Sequence, residues 1–536
     1  MKKYILWIFV TALLFPACSD TFLDENPKNS LGVENIFVDT KGFNAVTNGM
    51  YGYIRQEFQT WSGTNTLVGH GACPYETLQT GLDICTSSSV DNTINIFSNY
   101  THNSSNSYIN NRWKWAYGVI ASANTIINKA ENADVNWSNE GDKEYFQAHA
   151  RFFRAYAYRQ LTYLFGDVPW VTKVEEEQYR TDFVRTPRME VVGHIIEDLE
   201  FAAKYLPSDL SKIKDGQLTK WAALHLLSEM CNFSGDYDRA VSAAKEVIDS
   251  KNYELMKDRF GAAISEPGDV FSDMFKENNQ NRGGGNKESI FVIQSAFNVD
   301  GGSDRYTDWT RRAWVPEYYN IDGFMISHEY GGRGLGQIYP LDSWFKSYES
   351  QDMRNSEYNI RREYYYNNPA KTEKFGKKHE ITEDNIKRGY CYPTTTKFDY
   401  MPPGDNNTTY EGNMKDKMRF RLAETHLLLA EAYINKNDIA NATKQINIVR
   451  ERANATPAKE SEVNMDYLLD ERARELLGEE MRRFTLIRTG KLLERTRKFN
   501  PVSGPLIEDH QVLWPIPQTI IDANAGNKWE NNPGWK

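Results

Sequence analysis

The chain has 536 residues, 40% of them hydrophobic, 13% aromatic and 25% charged, with a formal net charge of −10. That length exceeds one simple core and suits two or more subdomains, or a repeat array with insertions. The apolar content predicts a folded globular protein, and the acidic balance argues against nucleic acid or anionic lipid as the main partner.

Lys2 and Lys3 precede an apolar run from Tyr4 to Phe15 that ends at Pro16, Ala17 and Cys18, the layout of a secretory signal over 1–17. The run is too short to span a bilayer as a helix. A cysteine directly after a small residue resembles the bacterial lipobox. That resemblance implies cleavage before Cys18 and lipid on its thiol, with a plain signal peptide cleaved nearby as the alternative. Each buried acyl methylene contributes about 0.8 kcal/mol to such an anchor. Losing Lys2 and Lys3 makes the chain still more acidic. Residues 18–39 are polar, with Pro27 and Gly32, and read as a lipid-anchored tether.

A helical N-terminal part is expected over 40–252. Helical spacing begins near Thr40 and gives way over 58–111 to a loop-like stretch rich in Thr, Ser, Asn and Gly that holds Trp61, Tyr75, Asp83 and Tyr100. Long irregular segments in folded proteins tend to carry function. Period returns with Trp113, Tyr117, Ile120 and Asn124. A helix then runs from about Gly141 to Phe165, stopped by Gly166, and Thr186-Pro187 opens another. Leu218 to Ile248 reads as a helical hairpin with small Ser228 and Ala240 facing each other across Gly235-Asp236.

Over 253–416 the helical period fails, which predicts a loop-rich insert with a strand candidate at Ser289–Gln294. Seven aromatics crowd the window from Tyr306 to Tyr330, about twice the chain average. Residues 417–536 resume the helical pattern. Arg419 to Arg452 read as two antiparallel helices on the tetratricopeptide template, and Ala430 to Ala442 repeats the interval from Ser228 to Ala240. The same hairpin therefore occurs at least twice, with 112–165 and 466–495 as further members. Three prolines and three tryptophans mark the closing segment as an extended tail.

Besides Cys18 there are Cys73, Cys85, Cys231 and Cys391, none in a C-x-x-C pair, so no structural zinc site is expected. Cys73 and Cys85 admit a disulfide in an oxidising compartment or, in the preferred reading, are two separate buried thiols. G-x-S-x-G, H-E-x-x-H and Walker patterns are absent, and Gly332 to Gly336 reads as a turn. No enzyme, metal or cofactor is expected. Sugars present apolar faces ringed by hydroxyls, so their recognition needs flat aromatic rings and planar polar side chains. The expected platform is Trp309 and Trp314, helped by Tyr319 and Trp61, with Asp83 and Arg312 as polar partners. Core packing is the competing reading for each, and Trp113, Trp221 and Tyr433 are read as core.

Several segments together resemble the SusD/RagB family of outer-membrane lipoproteins from Bacteroidetes. They are CSDTFLDENP, ARFFRAYAYRQLTYLFGDVPWV, LTKWAALHLLSEMCNFSGDYDRAVSAAKEVI, RLAETHLLLAEAYINKNDIANATKQINIVRERA, DERARELLGEEMRRFTLIR and the closing WPIP and NNPGW, in family order. The resemblance implies a mainly α fold, a right-handed stack of tetratricopeptide-like helix pairs carrying a loop-rich insert. It also implies a surface-exposed place on the outer membrane, where the protein binds glycan and hands it to a TonB-dependent, SusC-like transporter. The bilayer is then met only through the anchor. A peptide ligand is the alternative, and a glycoside hydrolase a lesser one. Thr485 departs from the Asp common before the Leu-x-Arg of the family.

Overall fold

The computed structural model describes residues 36–58, 75–89, 94–173, 180–296, 299, 302, 308, 310–401 and 412–535. Cys18 and residues 18–35 of the expected tether therefore lie outside the described residues. The scaffold begins with α1 (Thr40–Arg55), α2 (Ser107–Lys129), α3 (Asp142–Phe165), α4 (Arg188–Tyr205), α5 (Lys220–Ser234) and α6 (Tyr237–Asp249). Side-chain caps set several starts: Asp39 accepts from Gly42 N, Asn106 from Tyr108 N and Ile109 N, and Thr219 from Ala222 N. Gly235, at φ 84°, closes α5 in the left-handed conformation, and Asp236 caps α6 directly after it.

From α2 onward each helix packs on the next in the chain, and α6 passes the stack to α7 (Leu422–Asn435), which pairs with α8 (Ile439–Arg452). The two hairpins read from the sequence are present. In the first, Ser228 Oγ donates to the Ala240 carbonyl at 2.9 Å, a contact that only a small residue permits. In the second, Ala430 and Ala442 are both fully buried. At the centre, α3 is buried along nearly its whole length.

The insert is irregular chain tied down by three two-stranded antiparallel sheets. β1 (Cys85–Ser87) pairs with β3 (Ile338–Pro340), β2 (Ser289–Ile293) with β6 (Lys417–Arg421), and β4 (Ile360–Arg361) with β5 (Thr394–Thr395). Three expectations need correction. Arg419–Arg421 belong to β6, so the helix predicted from Arg419 starts at Leu422; alternating Met418 and Phe420 satisfy a strand as well as a helix. The 58–111 stretch is not loop throughout, since it contains β1 and short helical turns at 75–78 and 95–98, and α2 already begins at Ser107. The 466–495 segment is no hairpin but three short helices, α9 (Met465–Leu476), α10 (Arg482–Arg488) and α11 (Leu492–Phe499). Extended Leu477 and Gly478 at φ 75° break it.

Buried charge joins insert to scaffold. Glu475 on α9 accepts from Arg354 of the insert at 2.9 Å, from Arg421 of β6 at 2.5 Å and from Arg452 of α8. Glu288, beside β2, takes Arg421 at 2.7 Å and Arg452 at 3.0 Å, and Glu471 takes Arg354 and Arg450, each at 2.7 Å. Burial alone would raise these carboxyls. The surrounding guanidiniums instead hold Glu475 well below the usual carboxylate range and Glu471 down to about 2. Cys85 is a free, buried thiol, whereas Cys73 lies outside the described residues. Among the described residues no helix is long and apolar enough to cross a membrane.

Removing Glu475 takes away the carboxylate that three buried guanidiniums share and leaves the junction with excess buried positive charge. Glu475→Ala is expected to cost about 3–5 kcal/mol in denaturant unfolding at neutral pH. For Glu471, an unfolded carboxyl near 4.5 and a folded one near 2 mean that its contribution is full above pH 4.5 and fades as pH falls through 2. Melting temperature should therefore drop steeply on acidification across that window.

Candidate functional site

The expected platform draws on two stretches far apart in sequence, the early loop and the insert. Trp61 and Trp309 themselves lie outside the described residues, but the residues that flank their stretches come together on β6. Phe58 ends the short helical turn after α1, and the Lys417 ammonium sits 5.1 Å from its ring centroid. The same ammonium pairs with the carboxylate of Asp308, the neighbour of Trp309. Asp308 Oδ1 in turn accepts from Thr310 N at 3.0 Å, which opens the helical turn at Thr310–Trp314. Just before β6, Asp416 accepts from Ser295 N at 2.7 Å and Asn281 Nδ2 at 2.6 Å, and Arg55 Nη1 donates to the Gln294 carbonyl at 2.9 Å. A cation, a carboxylate and an aromatic ring thus converge where three segments meet.

Glu76 lies under this meeting point. It is 1% exposed, and its Oε1 has no hydrogen-bond partner among the described residues. Burial, with the nearby Asp308 charge adding to it and Lys417 and Arg112 opposing it, pushes the carboxyl up to about 8. At neutral pH it is therefore mainly protonated, which leaves the Lys417 ammonium to the Asp308 carboxylate.

The other expected platform residues have different places. Trp314 is fully buried and stacks on Phe398 at 5.0 Å, packed with Ile84, Ile338 and Leu477 where insert meets scaffold. It has no face to offer a sugar, which corrects that assignment. Asp83 is 1% exposed and accepts from Arg482 Nε at 2.9 Å, Arg482 Nη2 at 2.6 Å and Arg495 Nε at 2.7 Å. Burial would raise its carboxyl, but the two guanidiniums hold it below the ordinary range. It is a structural anion, not a sugar contact. Tyr319 is half-buried with its hydroxyl donated to the Gly334 carbonyl at 2.8 Å, and burial raises it to about 12. Arg312 is half-buried too, and its carbonyl accepts from Leu335 N at 2.8 Å.

The aromatic crowding of the insert serves mainly its own core. Tyr318, Phe324 and Tyr330 pack edge to face with Tyr364 and Cys391 nearby. Sequence reasoning passed over Phe58 and Lys417. Alternation from Lys417 to Arg421 was the available signal for the strand that carries Lys417. Among the described residues no cluster of His, Cys, Asp and Glu is arranged to hold a metal ion.

A helical stack that holds an early loop and an insert against one strand defines a helical-repeat protein whose loops, rather than its helices, form the candidate recognition face. The chain belongs to the SusD/RagB family. Residues 21–231 match the family described as starch-binding and associating with the outer membrane, and residues 287–535 match the SusD family. SusD-like protein P2 of Formosa agariphila is 26% identical over 554 residues, 100% of each chain. Among solved structures, a laminarin-binding SusD-like protein has a TM-score of 0.67 at 22% identity, over 92% of this chain and 99% of that one. Surface glycan-binding protein A from Bacteroides thetaiotaomicron, in complex with laminarihexaose, has a TM-score of 0.71 at 19% identity, over 92% and 99%.

Two measurements check these placements. Trp314→Ala should cost about 3–5 kcal/mol of stability as a core truncation. For Glu76, the unfolded carboxyl loses its proton near 4.5 and the folded one near 8, so its contribution is full below 4.5 and is lost as pH rises through 8. Glu76→Gln should flatten the fall of melting temperature between those values.

Proposed function

We propose that this protein is a lipid-anchored glycan-binding protein of the outer cell surface that captures oligosaccharide or polysaccharide and passes it to a TonB-dependent outer-membrane transporter. The observation that supports the binding face is the meeting of Phe58 and Asp308 on Lys417, since Phe58 precedes Trp61 by three positions and Asp308 precedes Trp309 by one. Those two tryptophans supply the stacking faces in this reading, and the largely buried Asp308–Lys417 pair is the structural support beneath them rather than a sugar contact. Family membership supports the ligand class, since the laminarin-binding protein and the laminarihexaose complex are built on the same fold. It also supports the outer-membrane setting, through the description of the first matching family. The lipid at Cys18 and the transporter rest on the lipobox and on the family.

In this reading the protein binds and does not cleave: its sequence carries no G-x-S-x-G or H-E-x-x-H motif, and the buried carboxylates of Asp83, Glu288, Glu471 and Glu475 are committed to arginines. The test is retention of the full-length chain, in detergent micelles, by a polysaccharide panel, with product release followed in parallel. Retention without released oligosaccharide is expected, and Trp309→Ala should weaken it about tenfold, near 1.4 kcal/mol. Stronger retention by a peptide array than by any glycan would overturn the reading. Co-purification from native membranes should recover a transporter barrel.

A further inference from the structure

A cleft of about 800 Å³ opens in the insert, and neither Phe58, Asp308 nor Lys417 lines it. Its volume falls in the range of small-ligand sites, roughly 300–1,000 Å³. One wall is the loop at 262–278, held by Arg259, whose guanidinium donates to the carbonyls of Gly268 at 2.9 Å, Ala263 at 3.1 Å and Glu266 at 3.0 Å. The other wall is formed by 357–361 and 396–401, where Thr396 Oγ1 donates to the Tyr358 carbonyl at 2.6 Å.

Two polar links fasten these walls to each other. Asp269 accepts from Ser356 Oγ at 2.6 Å and from Asn359 Nδ2 at 2.9 Å. Lys415 Nζ donates to the carbonyls of Phe275 at 2.7 Å, Lys397 at 2.7 Å and Asp399 at 3.0 Å. Both walls are therefore set before a ligand arrives, which lowers the entropy lost on binding.

The side chains inside combine one aromatic ring with planar polar groups. Tyr358 is 38% exposed, an uncommon exposure for so large a ring in this chain. Glu277 is half-buried, its carboxyl raised by that burial and facing Lys415 and His328. Glu266, Lys276, Glu277, Asn278 and Glu357 make no side-chain hydrogen bond or ion pair among the described residues, so their polar atoms are available. Arg361, by contrast, is spent on Asp399. With Asp399 taken by Arg361, the carboxylates of Glu266, Glu277, Glu329 and Glu357 remain against Lys276, Lys415 and His328, so the cleft is acidic and repels carboxylated or sulfated chains.

We propose that this cleft is a second saccharide site, separate from the Trp61 and Trp309 face, that takes an uncharged glycan chain. Tyr358 stacks on a sugar face while Glu277, Asn278 and Glu357 pair with hydroxyls. The proposal rests on the glycan-binding reading for its ligand class only and uses none of the residues of the first face. Two such sites on one chain favour a polymer long enough to reach both, because the second contact is then intramolecular.

The test is affinity electrophoresis of the full-length chain in detergent micelles, in gels holding laminarin, starch or xylan as neutral polymers and pectin or alginate as acidic ones. Wild type should be retarded by at least one neutral polymer. Tyr358→Ala should weaken that retention about tenfold, while Tyr358→Phe, which keeps the ring, should retain it. Glu277→Ala should weaken it as well, and carries the test if Tyr358→Ala lowers the melting temperature. A neutral polymer held equally by wild type, Tyr358→Ala and Glu277→Ala would overturn the cleft and leave the first face standing. Loss in Tyr358→Ala with full retention in Trp309→Ala and Trp61→Ala would support the cleft and overturn the first face. Retention of pectin or alginate that disappears in Tyr358→Ala would overturn the preference for uncharged chains. Absence of retention by all five would overturn both sites together.

Discussion

A buried carboxylate that serves three arginines from three parts of the chain is the constraint on which this architecture depends. Glu475 sits on α9 and receives Arg354 from the insert, Arg421 from β6 and Arg452 from α8. Charges taken out of water are tolerated only when paired and hydrogen-bonded, so none of these elements can shift without exposing its partners. An insert with only two to five residues in each strand could not hold its place by backbone pairing alone. The ionic junction supplies the missing definition, and Glu471 with Arg450 and Glu288 with Arg421 extend it on either side.

The candidate surfaces inherit their geometry from that junction. β6 begins at Lys417, which gathers Phe58 and Asp308, and ends at Arg421, which is locked to Glu475 and Glu288. One strand thus links the candidate face to the ionic core over five residues. β1 pairing with β3 adds a second tie between early loop and insert, and Trp314 plugs the seam between insert and scaffold. In the cleft around Tyr358 the same economy appears: Asp269 and Lys415 fix the walls with their polar atoms. Rigid support beneath irregular loops is the general way in which a binding face gains precision without regular structure of its own.

Residues differ in how legible they were. The hairpin pairs could be read because helical period and small-to-small spacing are local properties, and Ser228 with Ala240 meets across its turn as the spacing requires. The start of α7 was misread because Met418 and Phe420 suit a strand and a helix equally, and only pairing with β2 decides between them. Aromatic density pointed to the insert but not to a role, since a ring in a core and a ring under a sugar obey the same composition. Tyr318, Phe324 and Tyr330 went to the core, while Tyr358, outside the dense window, is 38% exposed. Asp83 looked like a polar partner in a loop; Arg482 and Arg495, some four hundred residues away, make it a buried anion.

By itself the sequence determined the helical class, the repeated hairpin, the interruption that forms the insert and, through segments in family order, membership of SusD/RagB. These follow from periodicity, caps and turn residues, which act over a few positions. Only the tertiary structure decided which aromatics are enclosed, that Phe58 and Asp308 share Lys417, and that the buried arginines of insert, strand and helix converge on Glu475. Each of those outcomes depends on the distance between residues far apart in the chain, and on whether water reaches them, which no local pattern encodes.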